Sequence, residues 1–144
     1  MVENKFAVLL VDDSVDDRLF MRRTIERSSR LLVVAEAKDG HEATDYLIGE
    51  GNFSNRMQYP YPDILFLDLK MPRKNGFDVL QWIQSEKTKN LLVFVVSGSW
   101  LTEDVERSYK LGAHGYFKKT SDKQEQEEMI TKIVGLAEER LGKS

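Results

Sequence analysis

Five side chains that could take part in chemistry lie at the ends of apolar segments of the sequence. They comprise three carboxylates, a hydroxyl and an ammonium: Asp12, Asp13, Asp68, Ser97 and Lys119. Three crowded carboxylates repel one another unless a divalent cation neutralises them, and Mg2+ (or Mn2+) binds such oxygens together with water and phosphate oxygens. A carboxylate can also attack phosphorus to give an aspartyl phosphate. A lysine and a hydroxyl would then stabilise the transferring phosphoryl group.

Asp68 is the most informative of the five because five apolar residues surround it in "ILFLDL" (64–69). A buried ion is costly unless it is paired. A single aspartate after a strand is most often a turn or helix-cap residue, but complementary chemistry at four strand ends is not expected of a structural surface. We therefore interpret Asp68 as a rigid nucleophile with a dry back wall. Taken singly, the other residues have ordinary explanations: Asp16 and Asp17, for example, are typical of a helix start.

Alternating apolar runs and helical patterns indicate how these residues are positioned. Near-continuous apolar runs are typical of strands covered on both faces of a parallel sheet. The predicted strands are 6–11, 31–37, 63–69, 91–97 and 115–118. The predicted helices are 15–28, 41–49, 76–86, 102–111 and 122–141.

Five successive βα units predict an α/β fold, namely a doubly wound (βα)5 three-layer sandwich around a five-stranded parallel sheet. Periodicity leaves the order of the strands open. In such sheets, ligands bind outside the carboxyl ends of the strands. The side chains that follow strands 1, 3, 4 and 5 are therefore expected along one edge.

Composition limits the classes of function. The chain has 144 residues, 41% hydrophobic and 31% charged, with a net charge of -3 and no cysteine. We expect a single domain over 1–144 with a core at about 6–141, and no attached output domain. The absence of cysteine excludes disulfides and thiolate metal sites. The mildly acidic charge gives no sign of nucleic-acid binding, no run is long enough to span a membrane, and a cytoplasmic location is expected.

Four motifs resemble those of the response-regulator receiver domains of two-component signalling. They are "LLVDDS", "DILFLDLKMPRKNGFDVL", "VFVVSGS" and "LGAHGYFKK", and the resemblance covers about Phe6 to Leu141. It implies a flavodoxin-like fold and a stand-alone bacterial phosphoprotein that receives its phosphoryl group from a sensor histidine kinase or phosphotransfer protein. Such a protein would signal by docking a downstream protein target, as a monomer or weak homodimer. It would catalyse only its own phosphorylation and dephosphorylation.

The resemblance also implies a role for each matching position. Asp68 would be the phosphoacceptor and would bind the metal together with Asp13, with Asp12 through water, and with the backbone carbonyl of Lys70. Ser97 and Tyr116 would be the switch residues, and Lys119 would bind the phosphoryl group. Lys70 and Ser99 lie two residues after the phosphoacceptor and the switch hydroxyl, where they would tune the phosphoryl lifetime.

The sequence departs from the family pattern at two places. Receivers usually have proline after the site lysine, often in a cis peptide, whereas this chain has Thr120. A non-proline cis bond costs about 2.5–4 kcal/mol, so the bond is expected to be trans unless the site holds strain. The segment 48–62 is also longer than the corresponding link of a minimal receiver, as in regulators paired with bacterial phytochromes.

Three alternative functions share features with this sequence. A haloacid-dehalogenase-type phosphatase needs a second aspartate two residues after the nucleophile, where this chain has Lys70. A flavin binder needs a phosphate-binding first loop, and "DDSVDD" would repel phosphate. The remaining alternative is a receiver-like interaction module that acts without phosphorylation.

Overall fold

The strands and helices follow the predicted order. The computed structural model describes residues 5–86, 90–99 and 101–142. The strands are β1 (Phe6–Val11), β2 (Leu31–Ala37), β3 (Ile64–Leu67), β4 (Leu92–Ser97) and β5 (Gly115–Lys118). The helices are α1 (Val15–Glu26), α2 (Gly40–Ile48), α3 (Gly76–Glu86), α4 (Thr102–Lys110) and α5 (Lys123–Leu141).

One parallel sheet with the strand order β2-β1-β3-β4-β5 forms the middle layer. Its apolar side chains alternate between two cores, which explains why the strand sequences are almost continuously apolar. Leu9 and Leu65 belong to the core that includes residues of α2 and α3, whereas Val8 and Phe66 belong to the core that includes residues of α1 and α5. The doubly wound, flavodoxin-like fold predicted from the sequence is therefore confirmed.

The strand order determines which functional residues can meet. β3 pairs with β1 on one side and with β4 on the other, and β5 pairs with β4 as the last strand of the sheet. The carboxylates after β1 and β3 are therefore on neighbouring strands. Lys119 follows β5, two strands away from β3, so only a long side chain can bring its charge to Asp68.

Strand β3 is shorter than predicted, because it spans Ile64–Leu67 instead of 63–69. The residues on either side are aspartates whose side chains make contacts of their own, Asp63 with the backbone of Ala7 and Asp68 with Lys119. Both still use their backbone N–H groups towards β1, with Ala7 and Val11 as acceptors. The predicted and observed bounds of β3 therefore differ only in where the regular hydrogen-bond pattern between strands stops.

The long segment between α2 and β3 packs against the domain. It contains a short 3-10 turn at Gly51–Phe53. Tyr46 of α2 donates a hydrogen bond to the Pro60 carbonyl at 2.7 Å, and the rings of Phe53 and Tyr59 pack around it. The Arg56 guanidinium donates to the carbonyls of Leu47 and Tyr59.

Among the described residues, no helix is both long and apolar enough to cross a membrane.

Candidate functional site

The junction between β1 and α1 fixes the first carboxylate of the site. Asp12 is 5% exposed, and its Oδ1 accepts a hydrogen bond from the backbone N–H of Ser14 at 3.0 Å. The Arg18 guanidinium donates to the Asp12 backbone carbonyl at 2.7 Å. These contacts hold the turn on both sides of Asp12, while the next residue, Asp13, is exposed.

The end of β3 fixes Asp68, which is 6% exposed. Its backbone N–H donates to the Val11 carbonyl at 3.0 Å, and the Gly76 N–H donates to the Leu69 carbonyl at 2.9 Å. A Cβ atom at Gly76 would overlap the Asp68 carbonyl and the Leu69 backbone. Glycine at this position therefore allows the start of α3 to pack closely against the backbone of Asp68 and Leu69.

Asp12, Asp13 and Asp68 bring their carboxylate oxygens within 4.8 Å of one another. Desolvation by burial raises the pKa of Asp68 to about 6, the nearby Lys119 lowers it, and the charge of Asp12 raises it. Oxygen-only donors with excess negative charge suit a hard divalent cation such as Mg2+ or Mn2+. The residues present therefore fit a metal of this class.

The Lys119 ammonium is the positive charge beside this cluster. Its Nζ lies 2.8 Å from Asp12 Oδ2, 2.9 Å from Asp17 Oδ2 and 3.4 Å from Asp68 Oδ2. Burial lowers the pKa of Lys119, but the hydrogen bonds to Asp12 and Asp17 and the charge of Asp68 outweigh that effect and raise it above its usual range. The backbone N–H of Lys119 donates to the Ser97 carbonyl at 2.8 Å. The Lys119–Thr120 peptide is trans.

Ser97 and Tyr116 are joined through the loop after β4. Ser97 is 1% exposed, and its Oγ accepts a hydrogen bond from the Ser99 N–H at 3.2 Å. The Tyr116 hydroxyl donates to the Ser99 carbonyl at 3.0 Å. The tyrosine hydroxyl is therefore hydrogen-bonded to the backbone of this loop.

The two residues expected to tune the phosphoryl lifetime differ in their freedom. Lys70 is exposed. Ser99 is 8% exposed, and its hydroxyl donates to Asp104 Oδ2 at 2.6 Å. The Ser99 side chain is therefore fixed by its hydrogen bond to the first turn of α4. The exposed Lys70 side chain has more conformational freedom.

Sequence reasoning missed three residues that shape the site. The sequence pattern indicates only a helix-start role for Asp17. It gives no sign that Arg18 holds the turn around Asp12 or that Asp104 binds Ser99. Local sequence patterns link neither Asp17 to Lys119 nor Ser99 to Asp104, because both contacts depend on how the elements pack.

Comparisons with known proteins agree with the geometry. Residues 8–131 match the family model described as the response regulator receiver domain. The chain is 30% identical over 127 residues to the response regulator Rcp1 of Synechocystis sp., covering 88% of this chain and 84% of the relative. The structure of the phosphorylated cyanobacterial phytochrome response regulator RcpA is similar, with a TM-score of 0.74, 28% identity and coverage of 97% and 96%. The Mn2+-bound structure of Rcp1 gives a TM-score of 0.73 at 29% identity, with coverage of 89% and 91%.

Proposed function

The chain belongs to the response regulator receiver domain family, and we propose that Asp68 accepts a phosphoryl group from a histidine kinase or phosphotransfer protein with the help of Mg2+ or Mn2+. The observation that carries this proposal is the convergence of three carboxylates with the Lys119 ammonium at one edge of the sheet. Two relatives support it, since one is described in its phosphorylated form and another with Mn2+ bound.

Asp13, Asp68 and the Lys70 backbone carbonyl would hold the metal, with Asp12 acting through water. The metal would supply positive charge to the transferring oxygens. The Asp68 carboxylate attacks phosphorus, a new O–P bond forms, and the N–P bond of the donor phosphohistidine breaks. The donor imidazole leaves with the bonding electron pair and takes up a proton. Lys119 offsets the charge on the phosphoryl oxygens, and Ser97 donates its hydroxyl to one of them.

The phosphoryl group would be read through the loop after β4. Ser97 Oγ accepts a hydrogen bond from the Ser99 N–H, and moving Oγ towards a phosphoryl oxygen would break that bond. Because the Tyr116 hydroxyl donates to the Ser99 carbonyl, a change in this loop would also affect β5. We propose that the surface formed by α4, β5 and α5 then docks a downstream protein, that the chain has no separate substrate, and that it works in the cytoplasm.

Phosphorylation is tested with acetyl phosphate and Mg2+, followed by mass spectrometry of the intact protein. We expect one added phosphoryl group on the parent and none on Asp68→Asn in short incubations, because the amide is not a nucleophile. Asp63→Asn is the matched control at the other end of β3 and should be labelled like the parent. Removing the divalent cation with EDTA should suppress labelling. Equal labelling of Asp68→Asn and the parent would contradict the proposal.

A second candidate is an interaction module that acts without phosphorylation. The hydrogen bond from Tyr116 to the Ser99 carbonyl is the contact that distinguishes the two candidates, because it joins the aromatic residue to the loop after β4. Structures with and without beryllofluoride and Mg2+ separate the two candidates. Phosphorylation-linked signalling predicts that the Ser97 hydroxyl and the Tyr116 contact change, whereas an unchanged loop favours the module.

A further inference from the structure

The site lysine has a third carboxylate partner that lies outside the acidic cluster. Lys119 Nζ contacts Asp17 Oδ2 at 2.9 Å, as closely as it contacts Asp12. Asp17 comes from the first turn of α1, and its side chain is 50% exposed. Among the described residues, Asp17 does not belong to the carboxylate group that could hold a metal.

The ammonium has three N–H donors, and three carboxylates surround it. Two of these, Asp12 and Asp68, are the residues proposed to act with the metal and the phosphoryl group. When a phosphoryl group arrives, Lys119 must redirect a donor from these inner carboxylates to a phosphoryl oxygen. Its contact with Asp17 can persist through that change, because Asp17 takes no part in the chemistry.

Asp17 is itself well placed to act as a fixed anchor. Its backbone N–H donates to Ser14 Oγ, the side-chain cap of α1, at 3.1 Å. The next residue, Arg18, pairs with Glu36 of β2 and donates to the Asp12 carbonyl. The first turn of α1 is therefore joined both to the site turn and to the sheet.

We propose that Asp17 is a positioning residue for phosphoryl transfer, holding the Lys119 ammonium at the outer side of the site. The inference rests on the proposed function. Without the Asp17 carboxylate, the ammonium keeps its contacts with Asp12 and Asp68, and Asp68 is the proposed nucleophile. A closer Lys119–Asp68 pair would withdraw negative charge from the attacking oxygen and leave the lysine badly placed for the incoming phosphoryl group.

The chain provides a matched control next to Asp17. Asp16 lies in the same first turn of α1 and is also exposed, so Asp16→Asn removes the same charge from the same helix start. We expect Asp17→Asn to slow labelling by acetyl phosphate at saturating Mg2+ by about two- to fivefold, the range that one partly exposed ion pair supports. Asp16→Asn should keep the parent rate, and Asp17→Glu should recover part of the loss.

A spectroscopic measurement tests the contact independently of activity. In metal-free protein, the 15N ammonium signal of Lys119 is assigned as the signal missing from Lys119→Met. It should shift or broaden in Asp17→Asn and stay in place in Asp16→Asn. An unchanged signal in Asp17→Asn would overturn the contact, and equal labelling rates of the two Asn variants would overturn the positioning role. A parent that takes up no phosphoryl group would instead contradict the proposed function.

Discussion

Two aspartates bracket strand β3, and they are used in opposite ways. Asp63 precedes the strand, and its Oδ2 accepts a hydrogen bond from the Ala7 backbone N–H at 2.8 Å. Asp68 follows the strand and lies against two further carboxylates and one ammonium. The aspartate before β3 therefore binds the backbone of a neighbouring strand, whereas the aspartate after β3 lies among charged groups.

This difference separates a structural role from a chemical one. A carboxylate that accepts a backbone N–H satisfies a group that would otherwise lose its hydrogen bond. A carboxylate that is crowded by other carboxylates is held in an unfavourable state, and burial raises the pKa of Asp68 to about 6. Groups with perturbed pKa values concentrate at functional sites, and a cation or a transferred group would offset the repulsion between these carboxylates.

The largest expected effect comes from removing the Lys119 ammonium at the carboxyl end of β3, the charged end of the comparison. Lys119→Met should lower the free energy of unfolding in metal-free buffer by about 2–3 kcal/mol, because Asp12 and Asp68 then lose their common partner. Added Mg2+ should recover much of that loss. Urea unfolding with and without Mg2+ measures both effects, and Lys132→Met, an exposed lysine on α5, is the control. A loss no greater than in the control would break the comparison.

The second prediction applies the same substitution to both ends of β3. Asp63→Ala should lower the free energy of unfolding by about 1–2 kcal/mol, because the Ala7 N–H loses its acceptor. Asp68→Ala should raise it by about 1–2 kcal/mol in metal-free buffer at pH 7.5, since a raised pKa means that folding disfavours the ionised carboxylate, on a scale of about 1.4 kcal/mol per pKa unit. Urea unfolding of both variants gives the two signs. Shifts of the same sign would contradict the comparison.

Much of the charged end could be predicted from the sequence, because each of its residues follows an apolar strand. Parallel strands deliver their carboxyl ends to a common edge, so the convergence of Asp12, Asp68 and Lys119 needs only the fold class. The strand order was not predictable from periodicity. The resemblance supplied the remaining roles, including those of Lys70 and Tyr116, and these stay predictions.

The contacts at the amino end of β3, the structural end of the comparison, and the contact between Asp17 and Lys119 were harder to predict. Asp63 precedes an apolar strand much as Asp68 follows one, and nothing in the sequence shows that its partner is a backbone N–H of β1. Asp17 had an adequate explanation as a residue of a helix start, so its contact with Lys119 did not emerge. Contacts between side chains far apart in the chain depend on packing geometry, which local patterns do not encode.

The third prediction rests on the proposed phosphorylation and concerns the lifetime of a phosphoryl group on Asp68. Lys70→Asn should shorten the lifetime several-fold, because the exposed lysine can reach the phosphoryl oxygens and obstruct the attacking water, whereas an amide can orient that water. The Ser99 hydroxyl is bound to Asp104 and does not offer this function. Loss of phosphate from both proteins is followed at the same Mg2+ concentration and pH. An equal or longer lifetime in the variant would mean that lysine stabilises the transition state as well as the ground state.

The smallest expected effect lies at the structural end, where His114 precedes β5 and its Nδ1 accepts a hydrogen bond from the Val93 N–H at 3.0 Å. Burial and the neighbouring Arg140 lower the pKa of His114. Above the ordinary histidine pKa of about 6.5, the ring is neutral in both folded and unfolded protein and pH has no effect through it. Below that value the unfolded chain binds a proton that the folded protein does not, so the free energy of unfolding falls as pH decreases towards the lowered pKa.

The test compares the parent with His114→Asn, whose Oδ1 can replace Nδ1 as the acceptor for Val93. Urea unfolding between pH 7 and pH 5 should show a smaller loss of stability in the variant than in the parent. Its labelling by acetyl phosphate at pH 7 should match the parent, since His114 lies at the opposite edge of the sheet from Asp68. If the two proteins lose stability in parallel, the ring is not the group that titrates. If labelling also changes, the two ends of the sheet are not independent, and the contrast between Asp63 and Asp68 would no longer separate structure from chemistry.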